Sequence, residues 1–140
     1  YRIGRSLLLV RLPIIKILCR FFCLFLFKFS EAFLGVSIPP GVPVGPGLYI
    51  GHTGLIIINH GAKIGKNFTM THGVTIGTLG LGEVGTPVIG DGVFVGSGAK
   101  ILGKIKVGDN VRIGANAVVI GDVPDGATAV GVPARIIEKK

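Results

Sequence analysis

The sequence predicts an all-β fold: a parallel β-helix of hexapeptide repeats, preceded by a short apolar helical segment. Three observations carry that reading. Between residues 38 and 123 apolar residues recur every six positions, in units starting at Ile38, Val44, Ile50, Ile58, Ile64, Met70, Ile76, Ile89, Val95, Ile101, Val107, Ile113 and Val119. The fourth position of most units is Gly or Asn. Residues 7–34 are strongly apolar and lack the rhythm. Six residues are too few for a helix-turn-helix repeat, and the apolar positions show no 3.6-residue period. So short a repeat marks strands that coil and stack.

The front segment, residues 1–34, is basic as well as apolar. It holds Arg2, Arg5, Arg11, Lys16, Arg20 and Lys28 against one acid, Glu31, in a chain whose formal net charge is +8. Pro13 is expected to start or kink its main helix. A spanning helix needs about 20 residues with few charges. Here the longest uncharged run, Phe21 to Phe27, is seven residues. Basic residues on one side and Phe and Leu elsewhere suit a helix lying in the membrane interface, drawn to anionic lipids. The alternative is a helix packed on the end of the β-helix or on sister chains. Interrupted apolarity argues against a secretory signal. Basic residues set among aliphatics argue against nucleic-acid binding. Cys19 and Cys23 share a helix face and read as small packing residues rather than a disulfide. The first residue is Tyr1, so the sequence is expected to be a fragment.

The coil is expected over residues 35–137, with 138–140 as a tail. Gly and Asn enter the left-handed backbone region at least cost. At Gly41, Gly47, Gly61, Asn67, Gly73, Gly92, Gly98, Asn110 and Asn116 they predict a corner every six residues. First and fifth positions then point inward, and three faces close an 18-residue turn. Neighbouring turns pair as parallel strands about 4.8 Å apart. Thr53, Lys104 and Asp122 break the corner rule, so different corners are expected there. The rhythm slips by two between Ile50 and Ile58, and a longer excursion separates Ile76 from Ile89. The front helix and the GVPARIIEKK tail are candidates to cover the two ends.

From Gly47 to Ile137 the chain resembles the hexapeptide-repeat acetyltransferases, most closely the serine acetyltransferases and their relatives in polysaccharide gene clusters. The resemblance rests on GLYIGHTGLIIINHGAKIGKNFTMTHGVTIG, the Gly-rich TLGLGEVGTPVIGDG, VGSGAKILGKIKVGDNVRIGANAVV and VPDGATAVGVPARII, in that order. It implies a left-handed coil, a homotrimer, active sites between neighbouring subunits, and acetyl-CoA as donor.

Acyl transfer from a thioester to an alcohol needs a base, and His is suited to that near neutral pH. The resemblance puts His52 at the catalytic position. His72 lies 20 residues on, one turn plus the slip, so it is expected directly above His52. It would help place the acceptor, tune His52, or stack without a role. His60 is read as solvated or at a subunit contact. Three His raise a zinc reading, but their spacing does not fit, and no metal is expected. The resemblance also exposes departures. The carboxylate that pairs with the catalytic His is Ser37 here, the Asp just before that His is Gly51, and the substrate-holding His of the Gly-rich loop is Thr86. For the donor it implies Gly77, Ser97 and Ala115 beside the pantetheine arm, with the loop from Gly77 to Val88 folding over it. Lys100, Lys104 and Arg135 are candidates for the CoA phosphates.

The expected function is an acetyl-CoA-dependent O-acetyltransferase acting on a sugar hydroxyl of surface polysaccharide, cytoplasmic and held at the inner membrane face. The alternatives are a serine O-acetyltransferase of cysteine biosynthesis and a non-catalytic trimeric scaffold.

Overall fold

The computed structural model describes residues 13–80 and 85–137. Arg2, Arg5, Arg11, the middle of the Gly-rich loop and the 138–140 tail lie outside the described residues. Among the described residues fourteen short strands follow one helix, α1, Pro13–Leu34. The strands form three sheets, one per side of a triangular prism. Face A stacks β1 (Val36–Ser37), β3 (Ile56–Ile58), β6 (Thr75–Gly77), β9 (Lys100–Leu102) and β12 (Val118–Val119). Face B stacks β4 (Lys63–Ile64), β7 (Val88–Ile89) and β10 (Lys106–Val107), with bridges at Val44 and Val123. Face C stacks β2 (Tyr49–Ile50), β5 (Thr69–Met70), β8 (Phe94–Val95), β11 (Arg112–Ile113), β13 (Thr128–Val130) and β14 (Arg135–Ile137).

All pairings are parallel except β13 with β14. The register gives the length of each coil. Thr69 pairs with Tyr49, so the slip makes that coil 20 residues long. Phe94 pairs with Thr69, so the Gly-rich loop adds seven residues to the next. Arg112 pairs with Phe94, an 18-residue turn. The interior is wholly apolar: Ile56, Phe68, Met70, Ile76, Ile101 and Ile113 are among its fully buried side chains. Each removes its surface from water, the main favourable term for the fold.

Seven of the nine predicted corners have positive φ; Gly41 and Gly61 do not. The three anomalous corners are built differently, as expected. Beside Thr53 the left-handed residues are Gly54 and Leu55. Beside Lys104 it is Gly103. The last coil departs from the six-residue rhythm. Val123 was expected as the fifth residue of its unit, but it pairs with Val107, only 16 residues away. The Asp122 carboxylate there accepts the Lys106 backbone N–H at 2.7 Å, and Pro124 opens the next turn. The same contact recurs where Asp91, Asp109 and Asp125 accept the backbone N–H of Lys66, Asp91 and Asp109, on coils of different length, so it fastens the corner without setting its length.

Both ends are covered. At the front, Gly35 (φ 60) ends α1 and turns the chain into β1. A side chain at Gly35 would sit 3.0 Å from the Leu55 backbone nitrogen, so the position also needs glycine for space. The Ser30 hydroxyl donates to the carbonyl oxygens of Phe27 and Val36, which ties the helix to the first strand. Cys23 is buried on the packed side, and neither cysteine forms a disulfide. A mainly apolar cleft of about 310 Å³ separates the helix from the first coil, lined in part by Leu26, Phe27, Ile50 and Thr53. At the other end, β14 folds back on β13, and Ala134 N–H donates to the Val118 carbonyl. Among the described residues no helix is long and apolar enough to cross a membrane.

Candidate active site

Four candidate residues occupy one corner of the prism, between faces C and A, in successive coils. His52 follows β2, His72 follows β5, Ser97 follows β8 and Ala115 follows β11. Backbone hydrogen bonds lock this column. Gly73 N–H donates to the Gly54 carbonyl at 2.8 Å, Gly98 N–H to the His72 carbonyl at 2.9 Å, and Asn116 N–H to the Ser97 carbonyl at 2.8 Å. Gly73, Gly98 and Asn116 all have positive φ, so the corner turns in the same way each time.

His52 and His72 are both exposed. His72 lies one coil above His52 as expected, but the rings meet edge to face, with centroids 6.2 Å apart and planes at 64°. Among the described residues no side chain hydrogen-bonds to either ring. The His52 nitrogens are therefore open to an acceptor. Above them the column presents only small side chains. Ser97 shares a hydrogen bond of 3.0 Å with Thr71, and Ala115 is exposed. A long flexible molecule lying along this edge would meet little bulk.

The remaining candidates lie elsewhere. Gly77 is buried at the end of β6, on the far side of face A. Thr86 sits at the opposite corner, between faces A and B, where its hydroxyl comes within 2.9 Å of where a Gly61 side chain would begin. His60 and Lys104 occupy that same corner and are exposed. One protomer therefore separates Thr86 from His52 by the width of face A. The Lys100 ammonium donates to the Gly73 carbonyl, so it secures the histidine corner instead of standing free. Arg135 is exposed on β14, the outermost strand of face C. Among the described residues no three His, Cys, Asp or Glu side chains converge as a metal site would require.

Sequence reasoning missed one residue here. The Ser37 hydroxyl donates to Glu31 Oε1 at 3.0 Å, and Lys28 Nζ lies 2.8 Å from Glu31 Oε2. The hydrogen bonds from Lys28 and then Ser37 hold the Glu31 carboxyl below its ordinary range. A carboxylate from α1 thus hydrogen-bonds Ser37, the residue that stands where the resemblance implies an Asp, without bonding to the His52 ring. The available signal was that Glu31 is the lone acid of the front segment, six residues before Ser37. Gly51 is different. A Cβ there would meet only ordinary contacts, 3.5 Å to Thr71 Cγ2 and 3.7 Å to Tyr49 Cε1. The backbone does not require glycine at that position.

Comparison with known proteins shows what the chain resembles in sequence and fold. Residues 86–121 match the family described as bacterial transferase hexapeptide (six repeats). A serine acetyltransferase of Mycobacterium tuberculosis is 44% identical over 111 residues, covering 79% of this chain and 48% of that protein. A solved serine acetyltransferase in complex with cysteine superposes with a TM-score of 0.83 at 35% identity, over 99% of this chain and 55% of the other. A solved serine acetyltransferase in complex with CoA gives 0.81 at 35%, over 98% and 54%. The chain thus spans about half the length of the relatives it matches. The prism is a left-handed parallel β-helix; the chain resembles the serine acetyltransferases in sequence and fold, and residues 86–121 match the hexapeptide-repeat transferases.

Proposed function

We propose that this chain forms the catalytic part of an acetyl-CoA-dependent O-acetyltransferase whose acceptor is serine. The observation that carries it is the corner column: an open imidazole at His52 beneath the small Ser97 and Ala115. In this reading His52 takes the proton of the acceptor hydroxyl as its oxygen attacks the thioester carbonyl. The tetrahedral intermediate collapses, the C–S bond breaks, and the proton passes from His52 to the departing CoA sulfur. The separation of Thr86 from His52 supports a homotrimer, because a neighbour's opposite corner would bring the two sets together across a cleft. Acetyl-CoA as donor is supported by the likeness to the CoA complex.

The acceptor differs from the sequence expectation. The relatives named above are serine acetyltransferases, which favours serine over a polysaccharide sugar. One observation keeps a second reading, an uncharged hydroxyl acceptor. Gly51 and Thr86 leave the corners without the charged and imidazole groups that the resemblance implies for holding an amino acid.

The test is thiol release from acetyl-CoA with serine and with a panel of sugars. Release with serine, lost in His52→Ala while the assembly stays intact, is the expected result. Release with sugars alone would replace serine by the second reading. No release and no acetyl-CoA binding by calorimetry would leave the chain a scaffold.

A further inference from the structure

We propose that Lys100 is a positioning residue for acyl transfer, holding the corner that carries His52; the inference rests on the acetyltransferase reading above. Residues 52–55 lie within the two-residue slip of the hexad rhythm, and Gly54 and Leu55 both take left-handed backbone there, at φ 112 and φ 53. Among the described residues this segment makes a single hydrogen bond: the Gly54 carbonyl accepts the Gly73 N–H at 2.8 Å. A corner fastened by one bond is only as well placed as the residue that donates it. That residue is a glycine at φ 72, the type with the widest backbone freedom.

Gly73 is held from the coil above on both sides. Before it, the His72 carbonyl accepts the Gly98 N–H at 2.9 Å. After it, the Gly73 carbonyl accepts a hydrogen bond from the Lys100 ammonium. Both peptides that flank Gly73 are thereby fixed, and with them the aim of its N–H at Gly54. The second fastening is not part of the repeat. Lys100 pairs with Thr75 in the coil below and with Val118 in the coil above. Val118 therefore stands in the matching place over the Gly98 corner, and its side chain has no donor to offer. Among the described residues Lys100 has no carboxylate partner, the one ion pair being Lys28 with Glu31. Ordering a long side chain and half-burying its ammonium cost conformational entropy and hydration. The corner given this fastening is the one stacked on His52. A base must meet the acceptor hydroxyl within hydrogen-bond reach, and a displacement of about 1 Å can cost roughly 100-fold in rate. Lys100 thus acts on the chemical step through backbone geometry, without touching substrate.

The experiment compares Lys100→Met, which keeps the stem and drops the donor, with Lys100→Arg, which keeps a donor. Thiol release gives kcat and KM, calorimetry gives CoA affinity, and amide hydrogen exchange of the free protein gives the protection of Gly73. Thermal melting is the folding control. Lys100→Met should lower kcat about tenfold while KM for acetyl-CoA and CoA affinity change by less than about twofold, and Lys100→Arg should recover most of the loss. The Gly73 amide should exchange about tenfold faster in Lys100→Met. An unchanged kcat, or a Gly73 amide as protected as in the wild type, would overturn the proposal. So would a kcat loss that Lys100→Arg does not relieve. A loss confined to KM and CoA affinity would make Lys100 a phosphate ligand instead. If the wild type itself releases no thiol with any acceptor, the acetyltransferase reading fails and the positioning role fails with it; faster Gly73 exchange in Lys100→Met would then show an anchor that is structural only.

Discussion

Ser37 donates a hydrogen bond to Glu31 across the junction between the helix and the first coil, 3.0 Å from hydroxyl to carboxylate. This contact ties α1 to the prism at the edge that leads toward the histidine corner. It also makes the junction sensitive to acid. The Glu31 carboxyl has a folded pKa below its ordinary 4.5, so its contribution to stability is complete above that value. The contribution is lost as pH falls through the lower folded pKa. Wild type should therefore melt above Glu31→Gln at neutral pH, and the gap should close in acid. A gap that stays constant from about pH 7 to about pH 3 would contradict the linkage.

The acceptor site can be probed by restoring what the chain lacks. Gly51 has room for a side chain and ordinary backbone geometry. Gly51→Asp with Thr86→His should fold normally. It should lower KM for serine by about tenfold if an amino acid is the acceptor, since one added charged hydrogen bond contributes roughly 1.5–3 kcal/mol. An unchanged KM for serine, with sugar turnover retained, would favour the neutral acceptor.

The donor path predicts a size effect at the top of the corner column. Ala115 is exposed, so Ala115→Trp should leave the melting temperature nearly unchanged, within about 0.5 kcal/mol. It should raise KM for acetyl-CoA by about tenfold or more through obstruction. A variant with normal acetyl-CoA affinity would move the coenzyme away from this edge.

The prism itself should respond to two kinds of change. Phe68 is fully buried, and Phe68→Ala should cost about 3–5 kcal/mol through lost transfer energy and a cavity. Asn110 holds a corner at φ 54. Asn110→Ala should cost about 1 kcal/mol because a Cβ crowds the carbonyl in that conformation, whereas Asn110→Gly should cost less. Denaturant unfolding of the three variants gives the comparison. Equal costs for Ala and Gly at residue 110 would show that backbone strain is not what the corner avoids.

The sequence by itself determined the coil. Inward positions at steps of six and Gly or Asn at most corners are local properties. The backbone region each residue can enter and the side of a strand it faces are decided within a few neighbours. For that reason the prism, the 20-residue coil that holds His52 and the stacking of His72 above His52 were legible, whereas Ser97 and Ala115 were named by the resemblance together with Gly77, which the fold places away from that corner. Tertiary structure decided what depends on distant groups meeting. In the last coil Asp122 met the backbone N–H of Lys106, 16 residues back, and accepted its hydrogen bond. Lys100 was drawn to the Gly73 carbonyl, and Glu31 was brought to Ser37 by the docking of a helix. Thr86 was carried to the corner opposite His52 by coil lengths that no single hexad specifies. A repeat encodes the angle of each turn; which side chains share a corner depends on the sum of all the turns between them.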